Sequence, residues 1–264
     1  IYLIKNLLVA LISFCLISSA IYLINDIFDY KFDKHHPSKK FRPIAAGILS
    51  RKAALICSLI ITILSFLLSA SHSGLLCLII FLYLLIQVFY TLGLKNIAII
   101  DLFCVTSGFL LRAVAGCIAS DLPISTWFLL SITLLSLFII VGKRKAELIS
   151  LDVLDPKTRP VLKKYSENLL IKLENLLATS TFITYSLWAA GPQLSGASSG
   201  WMILTVPFVL AGIFRYQLLS EIRNIESYKD KTTLTTEKPE EILIHDGGMR
   251  LIILGWLFIT IIIN

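Results

Sequence analysis

Apolar runs long enough to cross a bilayer recur along this whole chain, and they constrain its fold more than any other feature. A hydrocarbon core of about 30 Å is spanned by a helix of about 20 apolar residues. Eight such segments are expected, at about 7–27, 53–72, 74–93, 97–119, 125–142, 168–190, 199–220 and 248–264. Backbone groups in lipid must be paired within their own segment, so each run is helical rather than extended. Ser73-Gly74, Gly93, Pro123, Gly191-Pro192 and Gly247-Gly248 mark the breaks between most of them. The expected fold is all-α, a polytopic transmembrane bundle forming a single domain over 1–264. Composition agrees: only 16% of residues are charged and mean hydropathy is +0.83, whereas soluble domains carry about 25% charge. No cleavable signal peptide is recognisable, and a first residue of Ile1 rather than Met reads as a fragment or a lost start.

Charge is distributed with a strong bias. Of the 24 Lys and Arg residues, 20 fall in one alternate set of loops, and the opposite set holds none. The rich set is therefore cytoplasmic, and the protein is placed in a bacterial-type inner membrane with its active face toward the cytoplasm. The net charge of +7 follows from this topology and does not point to nucleic acid. Cys15, Cys57, Cys77, Cys104 and Cys117 lie in apolar runs without a CxxC pair, and read as small buried hydrophobes.

The stretch Asn25-Asp26-Ile27-Phe28-Asp29-Tyr30-Lys31-Phe32-Asp33 ends the first apolar run. On a continuing helix, Asp26, Asp29 and Asp33 stand at i, i+3 and i+7, on one face. Three carboxylates on one stripe repel one another unless a cation lies among them. Their hard oxygens, with that of Asn25, suit Mg²⁺, which keeps waters and substrate phosphate oxygens in its shell. A helix end solvating itself explains one or two acids, but not this stripe. Lys39, Lys40 and Arg42 follow directly, and Arg42 has the geometry to grip a phosphate in a bidentate manner. His35 and His36 read as solvated loop residues.

Further polar residues stand where apolar ones would cost less. Asp101 lies near the cytoplasmic end of the fourth helix, placed to reach the same site as Tyr90 and Lys95. Arg112 lies deeper, facing a cavity or held in a structural pair. Lys143-Arg144-Lys145 with Glu147 follow the fifth span, and then come Asp152, Asp155, Arg159 and Tyr165.

Asn25 to Asp33 matches the NDxxDxxxD signature of the UbiA superfamily of intramembrane prenyltransferases. The continuation through Phe41-Arg42-Pro43-Ile44-Ala45-Ala46-Gly47 resembles the decaprenyl-phosphate phosphoribosyltransferase branch. So do Tyr90 with Leu94-Lys95, Leu111-Arg112-Ala113, Gly142-Lys143-Arg144 with Glu147, Arg159 with Tyr165-Ser166, and Pro239-Glu240-Glu241 with Asp246. The resemblance implies nine helices, the first of which would precede Ile1. It further implies Mg²⁺ held by Asn25, Asp26, Asp29 and Asp33, with Asp29, Asp33, Arg42 and Lys95 catalytic. Substrate contacts would come from Lys39, Lys40, Tyr90, Asp101, Arg112, Lys143, Arg144, Glu147, Arg159 and Tyr165. Ordinary members carry a second Asp-rich motif where this chain has Lys143-Arg144-Lys145, which suits a phosphate that brings no metal.

The implied reaction moves 5-phosphoribose from phosphoribosyl diphosphate to a polyprenyl phosphate of decaprenyl type, in membrane lipid, for the cell envelope; a homo-oligomer is left open. Two other readings compete. A prenyltransferase using an allylic diphosphate and an aromatic acceptor would need the second acidic motif. A cation transporter would place charge near mid-membrane in broken helices.

Overall fold

The computed structural model describes residues 2–34, 39–150, 160–191, 197, 199–229 and 245–263. Eight α-helices account for most of them: α1 (Tyr2–Asp33), α2 (Arg51–His72), α3 (Gly74–Leu92), α4 (Ile100–Ala119), α5 (Thr126–Ser150), α6 (Glu167–Ala190), α7 (Val206–Lys229) and α8 (Gly247–Ile263). No strand occurs among the described residues. Among the described residues, six helical segments are long and apolar enough to cross a membrane: α1 to α5, and Gly200–Glu221. Helix α6 carries Glu167, Lys172 and Glu174 in its first turns, and α8 has 17 residues. The chain is a multi-pass membrane protein.

Two boundaries differ from expectation in a way that matters. Helix α1 does not end with its apolar run but extends to Asp33, 32 residues in all, about 48 Å at 1.5 Å per residue. That exceeds the hydrocarbon thickness, so the acidic stretch is helical. Helix α5 likewise continues past residue 142 to Ser150, so Lys143-Arg144-Lys145 and Glu147 lie on its last turns rather than in a loop. Straight-chain residues there favour helix, and Arg144 pairs with Glu147 at i, i+3 over 2.6 Å. Before α7, Gly200–Thr205 winds as a 3-10 turn; Pro207 then sits in the first helical turn, where its missing N–H costs nothing.

The described chain divides into two compact units, 1–123 and 124–264. In the first, α1 packs against α2, α3 and α4. Phe14, Ile17, Ile21, Leu76, Ile80 and Tyr83 form its core with Ala115 and Ala119. The buried residues of α2 are Ala54, Ser58, Ser65 and Ser69, while its Leu55, Ile56, Leu59, Ile63 and Leu67 are exposed. Small residues inside and branched ones outside is how helices associate in lipid, and Ser65 Oγ donates to the Ser13 carbonyl of α1 at 2.8 Å. Ser73 ends α2 and caps α3, its hydroxyl accepting from Leu76 N.

In the second unit, α5 packs on α6, and Phe138, Ala178, Ile213, Tyr216 and Met249 join α5 to α8 in one core. Helices α7 and α8 approach closely at Gly255, where a Cβ would stand 2.5 Å from Phe208 Cε1. Gly255→Val should therefore lower the thermal unfolding midpoint in detergent, by the equivalent of roughly 1–3 kcal/mol for an overpacked contact. Intrinsic fluorescence during heating reads the shift, and an unchanged midpoint would show that Phe208 swings aside freely.

Candidate active site at the end of the first helix

Because α1 continues to Asp33, the three carboxylates stand on one face, and the structure shows what balances them. Arg42 Nη1 donates to Asp26 Oδ1 at 2.7 Å and to Asp33 Oδ2 at 2.9 Å, so one guanidinium spans two helical turns. Lys95 Nζ donates to Asp29 Oδ1 at 2.5 Å. Each cation comes from a short 3-10 turn. Lys39–Phe41 leads into Arg42, and buried Ile44 and Ala45 pin that loop, while Gly47 turns it at φ 80°. Leu94–Asn96, entered at Gly93, presents Lys95.

These groups fit a divalent metal bound together with a phosphate. Asn25 Oδ1 is buried at the same helix end and accepts no hydrogen bond, an oxygen left without a partner beside the carboxylates. No three described His, Cys, Asp or Glu residues converge as a ready cage. Mg²⁺ does not need one: it is usually held through one or two carboxylates plus waters and substrate phosphates.

The remaining predicted residues separate into several environments. Lys39 is half-buried; Lys40 is exposed, its ammonium 5.1 Å from the Phe41 ring. Tyr90 is half-buried near the end of α3. Asp101 is fully buried in the first turn of α4, where a carboxylate favours the helix dipole. Two residues earlier, Ile99 takes φ 70°, a left-handed conformation that costs a β-branched residue of order 1–3 kcal/mol. Arg112 lies deeper on α4. Its Nη2 donates to Ser18 Oγ at 2.9 Å and Tyr83 Oη at 3.0 Å, and its Nη1 to the Gly108 carbonyl at 3.1 Å.

In the second unit Arg144 and Glu147 are buried and paired, and Lys145 is salt-bridged to Glu174. Lys143 makes no hydrogen bond or ion pair with the described residues. Tyr165 is buried. Arg159, His35, His36, Asp152, Asp155 and Pro239-Glu240-Glu241 lie outside the described residues.

Sequence reasoning missed three partners. Glu174 gave a signal, a charge at helical depth in α6, but its pairing with Lys145 bridges 29 positions. Ser18 and Tyr83 carry no charge to flag them. The resemblance covers Asp246 without implying a role for it, and the structure supplies one. Arg215 donates to it from Nε at 3.0 Å and from Nη2 at 2.9 Å, and Met249 N–H at the start of α8 donates at 2.6 Å. A Cβ on Gly248 would stand 3.0 Å from the Arg215 guanidinium, so the glycine makes room for it.

Three carboxylates and two cations gathered at one helix end mark the class to which this chain belongs, multi-pass helical membrane proteins with a charged cluster at a helix end. Within that class, the chain belongs to the UbiA prenyltransferase family, whose sequence pattern matches residues 3–234. It is 35% identical over 257 residues to a decaprenyl-phosphate phosphoribosyltransferase of Mycolicibacterium smegmatis, covering 94% of this chain and 77% of that protein. The protein of the same name from Corynebacterium glutamicum is 34% identical, over 95% of this chain and 73% of the relative. The fold matches a UbiA homologue from Archaeoglobus fulgidus bound to GPP and Mg²⁺, with a TM-score of 0.71 over 97% of this chain and 87% of that one, at 17% identity.

The buried Lys145–Glu174 pair carries a stability prediction. Glu174→Ala should cost roughly 3–5 kcal/mol by stranding the Lys145 ammonium, while Lys145→Met with Glu174→Leu should restore or exceed native stability. Equal loss in the single and double variants, read as unfolding midpoints in detergent, would show that the pair is not what matters. The Asp246 carboxyl carries another. Hydrogen bonds from Arg215 and Met249 N–H hold it down from 3.8 to about 2. A depressed folded-state value stabilises above the unfolded one and is lost as pH falls through the folded one. The stability advantage of the native protein over Asp246→Asn should thus be constant above about pH 5 and shrink between pH 3.8 and about 2.

Proposed function

We propose that the protein transfers 5-phosphoribose from phosphoribosyl diphosphate to a polyprenyl phosphate, releasing diphosphate. The observation that carries this reading is the carboxylate stripe of α1 with its two captive cations, in a chain about 35% identical to enzymes named for that reaction. The orientation argument from loop charge supports a site on the cytoplasmic face, where a water-soluble donor meets a lipid-anchored acceptor.

The chemistry follows from the charges. An acceptor phosphate oxygen attacks C1 of the ribose while the bond from C1 to the diphosphate breaks. The acceptor is already an anion, so no strong general base is needed. Negative charge grows on the leaving diphosphate, and cations preorganised against that charge lower the barrier more than any other device the site offers. Asn25, Asp26, Asp29 and Asp33 would hold Mg²⁺ there, which supplies Lewis-acid stabilisation of the diphosphate. Arg42 and Lys95, now paired with the carboxylates, would turn to phosphate oxygens once those acids held a divalent ion. Lys39 and Lys40 add charge along the same loop. Asp33 and Asp26, two turns apart under one guanidinium, keep Arg42 placed until that exchange occurs.

The test uses purified protein in detergent or liposomes with Mg²⁺, decaprenyl phosphate and ribose-labelled phosphoribosyl diphosphate. Label should enter the organic-extractable phase, and Asp29→Ala should reduce the rate on the order of 10²-fold or more. Chelation of the metal should do the same. Turnover of an allylic diphosphate without any ribosyl transfer would sink the phosphoribosyl reading in favour of prenyl transfer.

A further inference from the structure

Arg112 lies within the membrane-spanning helix α4, and no carboxylate is among its described contacts. It stands twelve residues into α4, about 18 Å from the first turn at 1.5 Å per residue. Its three hydrogen bonds go to two hydroxyls, Ser18 and Tyr83, and to the Gly108 carbonyl, all neutral. The Tyr83 ring lies 5.1 Å from its guanidinium, with Phe14 and Phe109 at 5.9 Å. Aromatic faces and hydroxyls orient a guanidinium but do not neutralise it. A cation at this depth costs several kcal/mol, and a group there marks a site for an anion or a polar path more often than a structural filler.

The side chain is exposed, and it faces a cavity of about 640 Å³. The walls of that cavity are otherwise nearly all apolar, from Leu7, Leu11 and Phe14 on α1 to Ala115 and Gly116 on α4. One charged group at the head of an apolar groove selects an amphiphile with a single anionic end. A diphosphate sugar has nothing to offer the groove, and a neutral lipid has nothing to offer the arginine. The placement along α1 also fits. Ser18 lies seven residues before Asn25, two helical turns and on the same face, so the groove continues the stripe that bears the acids. Two turns span about 10 Å, enough to seat a pentose between the two ends.

We infer that Arg112, with Ser18 and Tyr83, binds the phosphate of the polyprenyl phosphate acceptor, and that the groove of α1 and α4 takes the first part of its chain. This inference rests on the transferase reading above but is separable from it by experiment. It gives acceptor and donor different anchors, the acceptor on the deep arginine and the donor on the acidic helix end.

Binding is measured first, without donor or metal, by native mass spectrometry of the full chain in micelles titrated with decaprenyl phosphate. Decaprenol, phosphatidylglycerol and inorganic phosphate serve as comparison probes. Arg112→Gln should weaken decaprenyl phosphate binding at least tenfold, and Arg112→Lys should weaken it less. Gly116→Leu provides a second variant that does not threaten folding: a Cβ there meets nothing within 4 Å, and leucine favours helix over glycine. Filling the groove in this way should likewise weaken binding tenfold. In turnover, both variants should raise KM for decaprenyl phosphate and leave KM for phosphoribosyl diphosphate unchanged. Native affinity in Arg112→Gln and Gly116→Leu, alongside normal transfer, would overturn the acceptor site and leave the reaction standing. Equal binding of phosphatidylglycerol would overturn it in favour of a general anionic-lipid site, and equal binding of inorganic phosphate would overturn the role of the groove. Arg112-dependent binding of decaprenyl phosphate with no ribosyl transfer by the native protein would uphold the site and defeat the reaction.

Discussion

A charge in hydrocarbon has no water to fall back on, and this protein is organised around that cost. Coulomb attraction at a few ångströms grows as the dielectric falls, but so does the penalty of leaving either partner alone. Several of the described ionisable groups accordingly come in sets. Arg42 serves Asp26 and Asp33, Lys95 serves Asp29, Lys145 serves Glu174, and Arg144 serves Glu147. Leucine and isoleucine meanwhile turn outward, as on α2, because lipid accepts them as readily as a core does.

That same cost explains which parts of the structure were legible in the sequence. Apolar runs and the one-sided distribution of lysine and arginine are consequences of membrane insertion, so they can be read from order alone. The common face of Asp26, Asp29 and Asp33 follows from helical spacing once α1 is known to continue. The partners of those acids were harder. Arg42 and Lys95 stood out as cations, but pairing Lys95 with Asp29 joins residues 66 positions apart through two turns, and spacing rules do not reach that far. Ser18 and Tyr83 were invisible because a hydroxyl within an apolar run is ordinary; only the fold brings them to Arg112. The end of α5 was misplaced because hydropathy marks where lipid stops, not where the helix does.

The carboxylate stripe has more than one way to satisfy its charge, and this bears on function. A permanent structural network would close every oxygen with fixed donors, yet Asn25 Oδ1 is left buried and without a hydrogen bond. Arg42 and Lys95 reach the stripe from short turns rather than from rigid helix interiors. Cations on such turns can move without breaking the packing beneath, which at α1 depends on Phe14, Ile17 and Ile21. The arrangement suits an exchange in which Asp26, Asp29 and Asp33 would hold a divalent metal while Arg42 and Lys95 would turn to the phosphate oxygens that accompany it. Until then each set balances the other, so that neither stands as an uncompensated charge.

Arg112 departs from this pattern, and the departure is what makes it informative. Arg144, Lys145 and Arg215 each have a carboxylate within salt-bridge reach, whereas Arg112 has hydroxyls, a carbonyl and aromatic rings. A structural role alone would be met more cheaply by leucine or methionine at the same position, since the core of Phe14, Tyr83 and Ala115 around it is already apolar. The inferred acceptor phosphate would supply the compensating charge from outside these helices. A phosphate on an apolar chain answers both halves of the environment, because its head balances the guanidinium and its tail fills a groove that water would occupy only at a cost.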